Sequence, residues 1–356
     1  MIVIFNIINQ DINKMTEEIY LQLSEEDGNT SKTVNRLPDD ESYIYDIFIP
    51  REYCINPFPL KWPKSKKTRI LVGAMDSPFY NQYREKGELI NFDTFWLYES
   101  AREIRVENYN STEREQKYLF TTMINRSKWH RRTLMKVLDD FGLLYDKSAY
   151  SFLHPVSHTE RDVIWHGEFE QKLLPSQEWI KENYQHDKPS FEWDIPIELK
   201  QSLFQIVPET GWSNTDPTFV TEKTWIPLLL GIPFVVVGNK GFHKDLHERF
   251  GIEPYDELFD YKFDEVEDLE ERIYELVKSI NKLKKTEPWG SNKVWDYLNE
   301  KVQEKAKRNQ NRVHEMILNS DGVPNIKSSQ SFKWDWIVES AQKRIRSGGF
   351  LEKNII

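Results

Sequence analysis

The chain has 356 residues, of which 38% are hydrophobic and 30% charged, with a net charge of −10. This balance excludes a disordered chain, and the length suffices for two domains with cores of their own. An acidic protein is poorly suited to living on nucleic acid, although basic clusters at Lys61–Arg69 and His130–Arg132 keep that class open.

The opening stretch Met1–Ile8 is apolar but short and has no basic residues before it, so it predicts a first strand rather than a signal peptide. No apolar run approaches the roughly 18 to 20 residues of a membrane span. Cys54, the single cysteine, excludes an internal disulfide and a cysteine metal cluster; it reads as an inert thiol in a reducing cytosol. Pro50, Pro57, Pro59 and Pro63 punctuate an irregular connection. Arg69–Met75 is a buried strand closed by Asp76-Ser77-Pro78, and Asp93–Arg105 has helical spacing. A second apolar run, Tyr118–Ile124, ends at Asn125-Arg126. A helix follows, with Leu134, Val137, Leu138 and Phe141 on one stripe and Gly142 placed to end it.

Residues 145–195 predict loops and short helices. Their His154, His158 and His166, with Glu160, Asp162 and Glu168, match no zinc spacing and read as solvated. Leu203–Val207 is the next strand. The helix after Thr221 should be kinked or shortened by Pro227 and ended by Gly231, and Phe234–Val237 is again a strand. Helices are expected over His243–Phe250, Asp264–Lys285, Lys293–Leu318 and Trp334–Ile345, with a polar linker at Asn319–Ser331. Alternating strands and helices predict parallel sheets, in two groups divided at about residue 110. The fold expectation is therefore α/β, with two Rossmann-like halves facing across a ligand cleft.

Three constellations carry chemistry. The helix start Thr221-Glu222-Lys223 places a lysine where a cation opposes the helix dipole, beside unpaired backbone amides. That is a phosphate-binding corner, with Glu222 able to accept from sugar hydroxyls; the alternative is a solvated lysine and a capping glutamate. Asn125-Arg126 and His130-Arg131-Arg132 put basic groups at a strand end and a second helix start, again wrong-signed for the dipole. A bound diphosphate would resolve the conflict; a basic surface patch is the alternative. Glu209 ends a strand where α/β proteins bind ligands, and it could take sugar or ribose hydroxyls. No P-loop, GxGxxG or GxSxG motif occurs.

Glu209, the following loop, Phe219-Val220-Thr221-Glu222-Lys223, the apolar helix and Gly231-Ile232-Pro233-Phe234-Val235-Val236-Val237-Gly238 together resemble the donor-binding motif of the α-1,3-fucosyltransferase-like glycosyltransferases, a family with uncharacterised phage and viral relatives. Asn125–Arg132 resembles that family's upstream Asn-then-Arg segment. The likeness covers 118–142 and 200–285. Thr210 stands in place of the family's Asn after the acidic residue, Phe219 in place of Tyr, and Pro227 interrupts the helix.

The resemblance implies a GT-B-like fold. Residues 1–112 would form an acceptor-side α/β domain and 113–320 a nucleotide-sugar domain, with 321–356 a linker and a C-terminal helix packing back on the first domain. It implies a GDP-fucose-like donor, no metal cofactor and a hydroxyl acceptor of glycan type; the single cysteine and the lack of an apolar span predict a cytoplasmic location, the host's if the protein is viral. Asn125, Arg126, Arg131, Arg132, Glu209, Thr221, Glu222 and Lys223 would bind the donor. An inverting reaction needs a carboxylate base from the first domain, for which Asp76 is the first candidate and Glu99 the second. The rival readings are a phage-type transferase that glycosylates modified DNA bases and a non-catalytic nucleotide-sugar-binding protein.

Overall fold

A computed structural model of the chain describes residues 18–22, 40–49, 65–72, 84–85, 87–106, 117–125, 128–145, 148–152, 172, 174–176, 194–210, 218–285, 292–325 and 334–349. Two sheets, each of four parallel strands, organise them. The first runs in chain order: β1 (Glu18–Gln22), β2 (Asp40–Ile49), β3 (Ser65–Val72) and β4 (Glu88–Asn91). Ile47 pairs with Ile70 and Leu71 with Ile90, and Ile70, Leu71 and Val72 are fully buried. The predicted strand at 69–75 begins earlier, at Ser65; its end, and the expected strand at 1–8, lie outside the described residues.

The second sheet holds β5 (Tyr118–Ile124), β6 (Ser148–Phe152), β7 (Ser202–Pro208) and β8 (Phe234–Val237), in the order β6-β5-β7-β8. All pairings are parallel, so every strand's C-terminal end lies on one edge. The chain moves from β5 outward to β6 and then returns to the other side of β5 at β7. The β5–β7 boundary is therefore the topological switch point, the place where open α/β sheets as a class bind ligands.

Seven α-helices accompany these sheets among the described residues: α1 (Phe95–Glu103), α2 (Trp129–Asp140), α3 (Glu222–Leu230), α4 (Phe242–Phe250), α5 (Leu269–Lys285), α6 (Asn292–Asn319) and α7 (Trp334–Arg346). None is long and apolar enough to cross a membrane. Helix α2 ends as expected: Gly142 is left-handed, and the Leu143 N–H donates to the Leu138 carbonyl. Helix α3 runs through Pro227 for nine residues before Gly231, at φ 65°, stops it. The N–H of Ile232 then returns to the Pro227 carbonyl. Helix α5 starts five residues later than the spacing suggests. Asp268 caps it by accepting from the Glu271 N–H, whereas Asp264 is spent on His243, from whose backbone N–H it accepts.

One buried cluster runs from Leu71 and Phe92 through α1 into the second sheet and on to α6 and α7. Tyr98 of α1 donates to the Asp321 carbonyl at 2.9 Å, and Arg344 of α7 donates to the Arg102 carbonyl at 3.0 Å. Helix α7 thus packs on α1, within the first 112 residues. Helix α6 places a row of polar side chains against helix ends that would otherwise leave carbonyls unpaired: Gln310 donates to the Leu229 carbonyl of α3, and Arg312 to the Phe250 carbonyl of α4. At the sheet's far edge, the buried His243 ring accepts from the Val236 N–H at 3.0 Å and so occupies a donor that no further strand reaches.

Candidate functional site

The switch point brings the ends of β5 and β7 beside the starts of α2 and α3. Glu209, one residue past β7, is fully buried and joins these elements. Its Oε1 accepts from the Thr221 N–H at 3.0 Å and the Thr224 hydroxyl at 2.7 Å. Its Oε2 accepts from the Thr221 hydroxyl at 2.6 Å and the Thr210 N–H at 2.9 Å. Its backbone carbonyl accepts from His130 Nε2 at 3.0 Å and, at the edge of bonding range, Arg131 Nη2 at 3.5 Å. The expectation that this carboxylate takes a ligand's hydroxyls is corrected: four protein donors occupy it, and it is fully buried. Glu209 is a clamp that fixes the start of α3 to the end of β7 and to α2.

Helix α3 shows why the clamp is needed. Thr221 is the N-cap, with extended backbone, and its hydroxyl accepts from the Lys223 N–H at 3.3 Å while donating to Glu209. Thr224 lies one turn on, on the same side of the helix, and reaches the same carboxylate. Glu222 and Lys223 therefore leave the helix start from a fixed backbone. They form an ion pair, and the Lys223 ammonium also donates to the Thr210 hydroxyl at 3.2 Å. Both side chains keep roughly a quarter of their surface exposed, 25% and 29%. Burial alone would raise the Glu222 carboxyl. Lys223 beside it and Arg131 from α2 more than offset that and hold it below the ordinary carboxylate range.

Helix α2 begins differently. Its N-cap is Lys128, whose side chain makes no capping hydrogen bond, and no acidic residue stands in its first turn. Arg131 is buried there, and Arg132 is half-buried. His130 corrects one detail of the expected basic cluster. Burial first, then the adjacent Arg131, push the ring well below the usual imidazole value despite its bond to the Glu209 carbonyl. The ring is neutral near pH 7 and donates through Nε2–H, so the described cations at this helix start are the two arginines and Lys128.

The fold thus brings Arg131, Glu209, Thr221, Glu222 and Lys223 together at one edge. Asn125 closes β5 there, half-buried. Arg126 and Asp76 lie outside the described residues, as do Cys54 and the histidines at 154, 158 and 166. Glu99 is engaged elsewhere. Both its carboxylate oxygens accept from Arg102, at 2.6 and 3.3 Å, and Arg102 in turn lies 4.7 Å from the ring of Trp336 on α7. Burial raises the Glu99 carboxyl although Arg102 opposes the shift. Among the described residues, no group of three His, Cys, Asp or Glu side chains is placed to hold a metal.

Sequence reasoning missed Thr210 as a partner of Lys223 and Thr224 as a partner of Glu209. The Thr-x-x-Thr spacing of Thr221 and Thr224 puts two hydroxyls on one side of α3 and was the available signal. No family model matches the chain, and no curated protein or solved structure matches it.

Proposed function

We propose that the chain is a glycosyltransferase that uses a nucleoside-diphosphate sugar. The reading rests on one observation above all: cations sit at two helix starts that meet at the switch point of a parallel sheet, with the lysine-bearing start locked in place by a buried carboxylate. A cation at a helix N-terminus costs stability unless an anion offsets it, by about 0.3 to 1 kcal/mol when exposed. A diphosphate bridging Lys223 and Arg131 would compete with Glu222 for the lysine and draw on backbone amides and an arginine fork, which suit phosphate oxygens. The GDP-fucose-like donor and the GT-B arrangement belong to this proposal on the motif resemblance.

In the proposed reaction an acceptor hydroxyl oxygen attacks the anomeric carbon. The bond to the diphosphate oxygen breaks with its electron pair, and a carboxylate takes the acceptor's proton. Lys223, Arg131 and the two helix N-termini would stabilise the charge growing on the leaving diphosphate. Glu222, held ionised beside Lys223, would accept from donor hydroxyls. The engagement of Glu99 with Arg102 favours Asp76 as the base, and Asp76→Asn with full transfer activity would remove it from that role. The same engagement keeps a second reading alive, a nucleotide-sugar-binding protein without turnover.

The test is a thermal-shift screen with UDP-, GDP-, CMP- and dTDP-sugars. A ligand at a hundredfold excess over its Kd stabilises the fold by about 2.7 kcal/mol. Lys223→Ala should abolish the shift. A wild-type protein that no nucleotide sugar stabilises would refute the proposal, and binding without transfer or hydrolysis would select the second reading.

A further inference from the structure

Arg249, in the last turn of α4, ties the segment that leads into α3 to the loop that follows β4. Its Nη1 donates to the Thr218 carbonyl at 2.8 Å, and its Nη2 to the Asp93 carboxylate at 2.7 Å. Asp93 follows β4, at the C-terminal edge of the first sheet, two residues before α1. Thr218 begins the segment that leads through buried Phe219 and Val220 to Thr221. Its hydroxyl is also bonded to Asp245 of α4. Three residues on, the Thr221 N–H and hydroxyl enter the Glu209 clamp.

The simpler account of Arg249 is a basic residue near a helix C-terminus, where it complements the dipole. That account needs neither acceptor. A guanidinium is a rigid planar fork, and here each prong holds a different element, one of them a main-chain carbonyl. The ion pair is partly buried, with 30% of the Arg249 and 15% of the Asp93 side-chain surface exposed.

We infer that Arg249 is a positioning residue: a strut by which Asp93 of the first sheet sets the start of α3, and with it Glu222 and Lys223. The α3 start is thereby secured from both sides, by Glu209 from β7 and by Arg249 from α4 and the first sheet. The two ends differ in strength. The bond to the Thr218 carbonyl is local and insensitive to salt. The pair with Asp93 is solvent-accessible enough to be screened. The consequence for the site rests on the donor-binding reading above; the mechanical link does not.

The experiment is amide hydrogen exchange over residues 219–223 in the full chain, with α6 amides as an internal control. Arg249→Ala should speed exchange at Thr221 and Lys223 by about tenfold, the scale of one lost charge-assisted hydrogen bond. Asp93→Asn should speed it by about two- to fivefold in low salt and less at ~0.5 M salt. Arg249→Lys, which cannot fork to both acceptors, should fall between wild type and Arg249→Ala. Exchange at 219–223 within twofold of wild type in Arg249→Ala overturns the inference. So does acceleration of the same size in α6, which would mean a global effect. GDP and UDP affinities form the second readout, with about a tenfold rise in Kd expected for Arg249→Ala. A wild type that binds neither nucleotide sinks the functional proposal but leaves the exchange result standing. Binding with an unchanged Kd in Arg249→Ala shows that the strut does not serve the site.

Discussion

Replacing Glu209 by Gln tests the central claim about the candidate site, because the substitution keeps shape while turning one acceptor oxygen into a donor and removing the charge. Each carboxylate oxygen accepts from one backbone N–H and one threonine hydroxyl: Thr221 N–H with the Thr224 hydroxyl at Oε1, and Thr210 N–H with the Thr221 hydroxyl at Oε2. Whichever oxygen becomes an amide NH2 then faces an N–H that cannot turn away. The paired hydroxyl can rotate and accept instead. Two buried donors, the backbone N–H and the amide hydrogen that faces it, are left unsatisfied, at about 1 to 3 kcal/mol each, and the remaining bonds lose their charge assistance. Relief of the buried charge offsets part of this. The net expectation for Glu209→Gln is about 2 to 3 kcal/mol of lost stability. For Glu209→Ala, which removes all four acceptor contacts at once, it is about 3 to 5 kcal/mol.

The assay is equilibrium unfolding in urea, read as a shift in midpoint at constant slope. Glu315→Gln, an exposed position on α6, is the control and should stay within about 0.5 kcal/mol of wild type. If Glu209→Gln also stays within about 0.5 kcal/mol, the four hydrogen bonds do not hold the α3 start, and the reading of Glu209 as a clamp fails. A change in slope would instead point to a loosened native state.

Two further outcomes are expected. Burial lowers His314 to about 4, although its bond to the Leu229 carbonyl opposes the shift, and burial holds His130 well below the usual value. Because the folded values lie below the unfolded value of ~6.5, the unfolded chain takes up protons first as pH falls from about 6.5 toward 4. Stability present at pH 7.5 should therefore drop by about 1 to 2 kcal/mol for His314 alone at pH 5, and His314→Gln should flatten the profile; equal unfolding midpoints at both pH values would contradict the shift. Gly231→Ala forces a side chain into a left-handed position at φ 65° and brings a Cβ to 3.3 Å from the Gln310 side chain that caps α3. Its melting temperature should fall by a few degrees, for a cost of about 1 to 2 kcal/mol, and an unchanged value would show that the α3 terminus tolerates a shift.

Much of the second sheet was legible because three of its strands are buried on both faces and read as continuous apolar runs, whereas β6, with the sequence Ser-Ala-Tyr-Ser-Phe, has no such run and lies where loops and short helices were expected. Tyr118–Ile124, Leu203–Val207 and Phe234–Val237 all appear within a residue or two of the expected bounds. Helix ends were legible where glycine had to adopt a left-handed turn, at Gly142 and Gly231. The start of α5 was not, because Asp264 and Asp268 are equally good caps locally. Only the tertiary contact to His243 diverts Asp264.

The candidate site divides along the same line. The wrong-signed cations at two helix starts could be read from residue type and position, because the helix dipole is a local property. What could not be read is that a carboxylate at a strand end would turn inward. Glu209 looked like a ligand contact because acids at that edge normally face solvent or substrate. Its fate was decided by three donors twelve to fifteen residues away, two of them on the hydroxyls of Thr221 and Thr224. With Glu209 spent on holding the helix start, Glu222 becomes the carboxylate there that keeps some exposed surface, and its ion pair with Lys223 sets its charge. Any anion bound at this corner must compete with Glu222 for the lysine. Glu222→Gln should therefore tighten the binding of inorganic pyrophosphate while weakening that of a nucleotide sugar whose hydroxyls Glu222 accepts. Isothermal titration with both ligands separates the two effects, and movement of both affinities in the same direction would contradict this division of roles.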